Sequence, residues 1–142
     1  MPEGLPDWFP GYYFMGQYSA VWSVETYCGL AKFSKELSGY IGVPAYGDTY
    51  QQVYTVPTGK TLFIAVIQAW AEGGNFDGKI WVYIDWPDGT RDTVFVWYFS
   101  PQVLKELRVP IVVPENCTVT IHFHNYASIA HTYGFCLRGW EV

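Results

Sequence analysis

The sequence predicts an all-β fold, a single β-sandwich or jelly roll of about eight mostly antiparallel strands, with an extended N-terminal arm. Three observations carry this expectation. Short runs rich in Val, Ile, Thr and aromatic residues succeed one another from about residue 50 to residue 140. Gly- and Pro-containing turns punctuate them, and many short strands joined by such turns mark a sandwich or jelly roll. Finally, Val56-Pro57-Thr58-Gly59-Lys60-Thr61-Leu62-Phe63-Ile64 is echoed by Val113-Pro114-Glu115-Asn116-Cys117-Thr118-Val119-Thr120-Ile121. The echo fits corresponding corners in two halves of a sandwich, or convergence on good turn chemistry.

Taken in order, residues 1–16 read as an arm, because Pro2, Pro6, Pro10, Gly4, Gly11 and Gly16 interrupt any regular element. The arm nonetheless holds Trp8, Phe9, Tyr12, Tyr13 and Phe14. Disordered tails are poor in aromatics, so a docked, extended arm is expected. Residues 17–142 form the sandwich domain. Its first strand is expected from the alternation of Tyr18, Ala20, Trp22 and Val24. Leu30, Phe33 and Leu37, spaced by three and four, allow one or two helical turns between Gly29 and Gly39. Further strands are expected near 50–56, 61–70, 79–86, 92–99, 107–113, 117–125 and 132–140. Pro87-Asp88-Gly89 supplies a tight turn between two of them. Ser100-Pro101 followed by Gln102–Leu107 fits a capped helical turn, since Pro suits a first helical position. Asn125–His131 reads as the loop before the last strand.

Composition narrows the function classes. The 142 residues suit one domain with a sizeable core. Seven Trp, twelve Tyr and nine Phe make up 20% of the chain, while only 15% is charged, well below the quarter usual in globular domains. So many large rings exceed what a small monomer hides, so some are expected to meet a partner or ligand. The eight basic residues are scattered and the net charge is -5, which disfavours nucleic-acid binding. Cys28, Cys117 and Cys136 are expected to be free thiols. No signal peptide is expected from Met1-Pro2-Glu3-Gly4, and the apolar run Leu62–Ala71 is short for a membrane-spanning helix.

The hairpin around Pro87 shows where apolar character exceeds one core. Ile80, Val82 and Ile84 alternate with Trp81, Tyr83 and Asp85; Val94, Val96 and Tyr98 alternate with Phe95, Trp97 and Phe99. A strand with one wet face should be polar on that face. The β-branched side therefore reads as core, and Trp81, Tyr83, Phe95 and Trp97 read as a second, aromatic face. The arm, another subunit, local loops or a carbohydrate could cover it.

Residue chemistry points to no reaction. His122 and His124 share a strand face and, with His131, Asp77, Asp85 or Cys117, are conceivable metal ligands. Cys117 falls on the opposite parity, however, and the pair reads as polar outer-face histidines, with no metal or cofactor expected. There is no nucleophile elbow and no identifiable carboxylate pair, and Gly73, Gly74 and Gly78 read as loop glycines. No enzyme activity is expected.

Through Val56–Ile64, Val113–Asn125 and the terminal Tyr133-Gly134-Phe135-Cys136-Leu137-Arg138-Gly139-Trp140, the chain resembles small structural β-domains of viruses and bacteriophages. With the aromatic arm, it is most similar to the capsid decoration proteins of tailed, thermophilic phages. The resemblance spans about residues 50–142 and rests on turn and strand patterns. It implies a non-enzymatic homo-oligomer, a trimer by analogy, binding the major capsid protein on the outer surface of the virion. The implied contacts are Trp8, Phe9, Tyr12, Tyr13 and Phe14, then Trp81, Tyr83, Phe95 and Trp97. The competing expectation is a carbohydrate-binding module.

Overall fold

The computed structural model describes residues 33–142. The proposed arm, with Trp8, Phe9, Tyr12, Tyr13 and Phe14, and the strand expected from Gln17 lie outside the described residues. Eight strands follow: β1 (Lys35–Val43), β2 (Asp48–Thr55), β3 (Leu62–Ala71), β4 (Gly78–Asp85), β5 (Arg91–Phe99), β6 (Gln102–Val113), β7 (Thr118–Asn125) and β8 (His131–Glu141). They form two four-stranded sheets, ordered β1-β8-β3-β6 and β2-β7-β4-β5. Every pairing is antiparallel. Successive strands switch sheets at β1–β2, β2–β3, β3–β4, β5–β6, β6–β7 and β7–β8, the winding of a jelly roll.

The core lies between the sheets and follows from two-residue periodicity. Leu62, Ile64, Ile67 and Ala69 of β3 meet Ile80, Val82 and Ile84 of β4, and Val119, Ile121 and Phe123 of β7 meet Tyr133, Phe135 and Leu137 of β8. Each fully buried large aliphatic or aromatic side chain contributes about 1.5–3 kcal/mol of burial free energy. Cys117 and Cys136 are buried free thiols, their pKa values raised by burial. A smaller apolar cluster sits on the outer side of the first sheet. There Ala65, Val66 and Trp140 are buried with Phe33 and Phe63, and the Phe63 and Trp140 rings stack at 5.2 Å.

The repeated Val-Pro segments occupy matching corners. Val56-Pro57-Thr58-Gly59 carries the chain from β2 to β3, and Val113-Pro114-Glu115-Asn116 carries it from β6 to β7. Gly59 and Asn116 both adopt positive φ, at 85° and 65°. Lys60 N donates to Pro57 O in one turn and Cys117 N to Pro114 O in the other. The corners also bind each other: Asn116 N donates to Val56 O at 2.7 Å, and Thr58 Oγ1 donates to Asn116 Oδ1 at 2.8 Å.

Two local expectations are corrected. The proposed helical turn at Leu37 is strand β1, because Leu37, Ile41 and Val43 also alternate with period two and pair with β8. The capped turn at Gln102–Leu107 is the start of β6, where Val103 pairs with Ala69 and Leu104 with Gln68. In both places tertiary pairing outweighs a weak local helical signal.

Candidate functional site

The candidate site is the outer face of the second sheet, built as cross-strand rows. β2, β7, β4 and β5 bring Asp48, His124, Lys79 and Tyr98 into one row and Tyr50, His122, Trp81 and Val96 into the next. Gln52, Thr120, Tyr83 and Thr93 form the third row; Thr118, Asp85 and Arg91 close the series. Residues directly opposite across antiparallel strands share a face, so these side chains all project away from the core.

Aromatic stacking organises the middle row. The His122 ring lies 4.0 Å from Tyr50 and 3.9 Å from Trp81, nearly parallel to both. Although it is on an outer face, His122 is only 4% exposed. His122 is on the outer face, as its strand parity indicated, but it is packed flat between two rings. Burial lowers its pKa, opposed by the hydrogen bond and charge of Asp48. The neutral ring satisfies both neighbours with one tautomer: Nε2–H donates to Asp48 Oδ1 at 2.7 Å, and Nδ1 accepts from the Tyr83 hydroxyl at 2.9 Å. The bond from His122 holds the Asp48 carboxyl below the usual range, with His124 Nδ1 also 3.0 Å away. Desolvation raises the Tyr83 pKa, consistent with a donor hydroxyl.

Below this row, Arg91 grips Asp85 through Nε at 2.5 Å and a terminal nitrogen at 3.0 Å, while Thr120 Oγ1 donates to the same carboxylate. The hydrogen bond from Arg91 is the main cause of the lowered Asp85 pKa. The guanidinium also lies 4.4 Å from the Tyr83 ring. At the other end, Tyr98 donates to Asp77 at 2.5 Å and packs edge-on against Tyr126. The result is a shallow surface whose interior valences are satisfied and whose Tyr50, Val96, Tyr98 and Tyr126 stay substantially exposed. Among the described residues, no group of three or more His, Cys, Asp and Glu side chains is arranged to hold a metal ion.

The predicted aromatic face is therefore split. Trp81 and Tyr83 lie on the outer face, as the alternation indicated. Phe95, Trp97 and Phe99 lie on the other side of β5, because the register sets Val82 opposite Phe95, Ile80 opposite Trp97 and Gly78 opposite Phe99. Phe99 is core, Phe95 packs against the core, and Trp97 lies at the open margin of the sandwich with Lys105 Nζ 3.8 Å from its ring. The outward residues of β5 are Val96 and Tyr98. Both sides of this strand are apolar, so preferring the β-branched side as core inverted its parity. Tyr50, Asp48, Arg91 and Tyr98 were missed as site residues. Their link to Trp81 and His122 is cross-strand register, which no local pattern encodes.

No protein-family model matches the chain, and no curated protein matches it in sequence. Solved structures do share its fold. The Yersinia pseudotuberculosis-derived mitogen is similar over 75% of this chain and 86% of its own, with TM-score 0.51 and 10% identity. PirA is similar over 74% and 95%, with TM-score 0.50 and 12% identity. A chain from infectious bursal disease virus, Gx strain, shows a weaker likeness over 78% and 30%, with TM-score 0.39 and 10% identity. At these identities the first two likenesses establish the two-sheet fold and nothing about activity, and the third adds nothing to the argument.

Proposed function

We propose that this chain is a non-enzymatic structural protein that self-associates and docks on the outer surface of a viral shell, bridging and stabilising its subunits. The observation that carries this reading is the outer face of the second sheet, where a rigid aromatic array leaves Tyr50, Val96, Tyr98 and Tyr126 open to solvent. Fold-level analogy supplies the class of partner, since jelly rolls serve in capsid as well as lectin domains. The lectin alternative has less support, because the two candidate tryptophan rings are already engaged. Trp81 contacts His122 and Lys79, and Trp97 contacts Phe95 and Lys105.

Large aromatic side chains carry roughly 150–250 Å² each. Half-exposed tyrosines on one face thus release on the order of 300 Å² on docking, worth about 7 kcal/mol at 25 cal/mol per Å². Association alone costs about 4–15 kcal/mol, so one face binds weakly and repetition of the face in an oligomer supplies the avidity. Cosedimentation of the full chain with purified empty shells of the encoding virus tests this. Retention is expected, with marked loss in a Tyr50→Ala/Tyr98→Ala double variant. No retention, or retention indifferent to both changes, refutes the reading.

A further inference from the structure

The four sheet margins are not equally protected. β6 carries Lys105, Glu106, Arg108 and Pro110, and its register with β3 is broken between Ile64 and Val66. β2 is kinked by a register shift between Gln52 and Tyr54, and β1 begins with Lys35 and Glu36. Charges, proline and bulges on an outer strand block pairing with another chain. β5 begins with Arg91 and Asp92 and carries a bulge at Val94, but from Phe95 to Phe99 it has none of these: the run Phe95-Val96-Trp97-Tyr98-Phe99 holds no charge, proline or glycine. Its register with β4 is unbroken from Phe95 to Phe99, and β4 is its only sheet neighbour among the described residues. Val96, Trp97 and Tyr98 are 41%, 41% and 53% exposed, so both faces of this margin reach solvent.

We propose that the β5 margin is a self-association surface, on which a second copy of this chain adds its own β5 antiparallel across a two-fold axis near Val96. The strand is self-complementary in that register. Val96 meets Val96 of the other copy, and Phe95 meets Trp97, matching an aromatic pair on the inner side. The charged residues Arg91 and Asp92 fall outside the paired centre, beyond the bulge at Val94, so no like charges oppose. The free backbone donors and acceptors of one copy satisfy those of the other, and the two second sheets become one eight-stranded sheet. Such an isologous contact closes as a dimer, where the decoration-protein resemblance implied a trimer. The inference rests on the self-association part of the proposed function and not on shell binding.

Light scattering on the full chain is expected to give the mass of a dimer. Val96→Lys, at an exposed position, should give a monomer with an unchanged far-UV circular dichroism spectrum. In a Cys28→Ser background, mild oxidation of Val96→Cys should link two chains through that position. Thr93→Cys, which lies on the outer face beyond the bulge at Val94, should not link. A monomeric wild-type chain overturns the proposal. A dimer that survives Val96→Lys and resists linking through Val96→Cys places the interface elsewhere and also overturns it. If Val96→Lys fails to fold, the linking pattern alone decides. Loss of shell binding with the linking pattern intact counts only against the shell reading.

Discussion

Replacing His122 by Phe tests the central row directly. The substitution keeps a flat ring between Tyr50 and Trp81 but removes the bonds to Tyr83 and Asp48. At neutral pH the loss should be about 1–3 kcal/mol, from two hydrogen bonds in a largely water-excluded site, partly offset by added apolar burial. The pH response is more diagnostic. His122 has a folded-state pKa below its ordinary 6.5, so the unfolded chain binds the extra proton first as pH falls. Its contribution is therefore complete above about pH 6.5 and declines on acidification until the folded ring also protonates. One proton of difference gives a slope of at most about 1.4 kcal/mol per pH unit. Structurally, protonation places a second donor at Nδ1, against the Tyr83 hydroxyl that now donates to it. Urea unfolding of wild type and His122→Phe at steps from pH 7.5 down to 5 measures the difference. The stability gap should narrow as pH falls. A gap that is constant with pH, or that widens on acidification, refutes the assignment of a neutral, doubly bonded His122.

Other perturbations probe the frame that holds this face. A Cβ at Gly139 would overlap the carbonyl oxygen of Phe63, where β8 passes the β3 register shift; Gly139→Ala should cost about 3 kcal/mol or more, read as a lowered thermal midpoint. The Tyr133 hydroxyl donates to Asp77 O and lies 3.2 Å from Asn125 Oδ1, its pKa pushed up to about 12 by burial. Tyr133→Phe should cost about 1–2 kcal/mol with an unchanged urea m-value, and hydrogen exchange in residues 126–130 should accelerate because Asn125 anchors that loop.

Legibility in the sequence depended on how far each signal reached along the chain. β4 and β7 were readable because Ile80, Val82 and Ile84, and Val119, Ile121 and Phe123, alternate with less apolar neighbours. The Val-Pro corners were readable because their chemistry is local, Gly59 and Asn116 taking the left-handed conformation their turns require. β1 was misread because Phe33 and Leu37 satisfy helical spacing, and the start of β6 because Ser100-Pro101 has the chemistry of a helix start; only β8 or β3 as a partner resolves them. β5 was located but its faces were exchanged. With Val, Phe, Trp and Tyr on both sides, its parity is set by pairing with β4 and by the register shift at Val82 and Tyr83. Half of the site was thus visible as Trp81, Tyr83, His122 and His124, and the half supplied by Asp48, Tyr50 and Arg91 required the sheet.

The scarcity of charge and the abundance of rings are two sides of one arrangement. Several carboxylates act as anchors for aromatic polar groups: Asp77 holds Tyr98, Asp92 holds the Trp86 indole, Glu72 holds the Trp70 indole and Glu141 holds Tyr54. A ring fixed in this way has already lost rotamer freedom in the free chain. Immobilising an unanchored side chain at an interface costs about 0.5–1.5 kcal/mol, a sizeable fraction of the roughly 2–3 kcal/mol gained from its exposed half. Anchoring removes most of that cost from the binding step. The geometry of β5 then links face to margin, since Val96 and Tyr98 both belong to the outer face and Val96 also lies at the proposed two-fold axis. Pairing through β5 would run the Tyr50–His122–Trp81–Val96 row into its copy, so that self-association enlarges the same surface that docks.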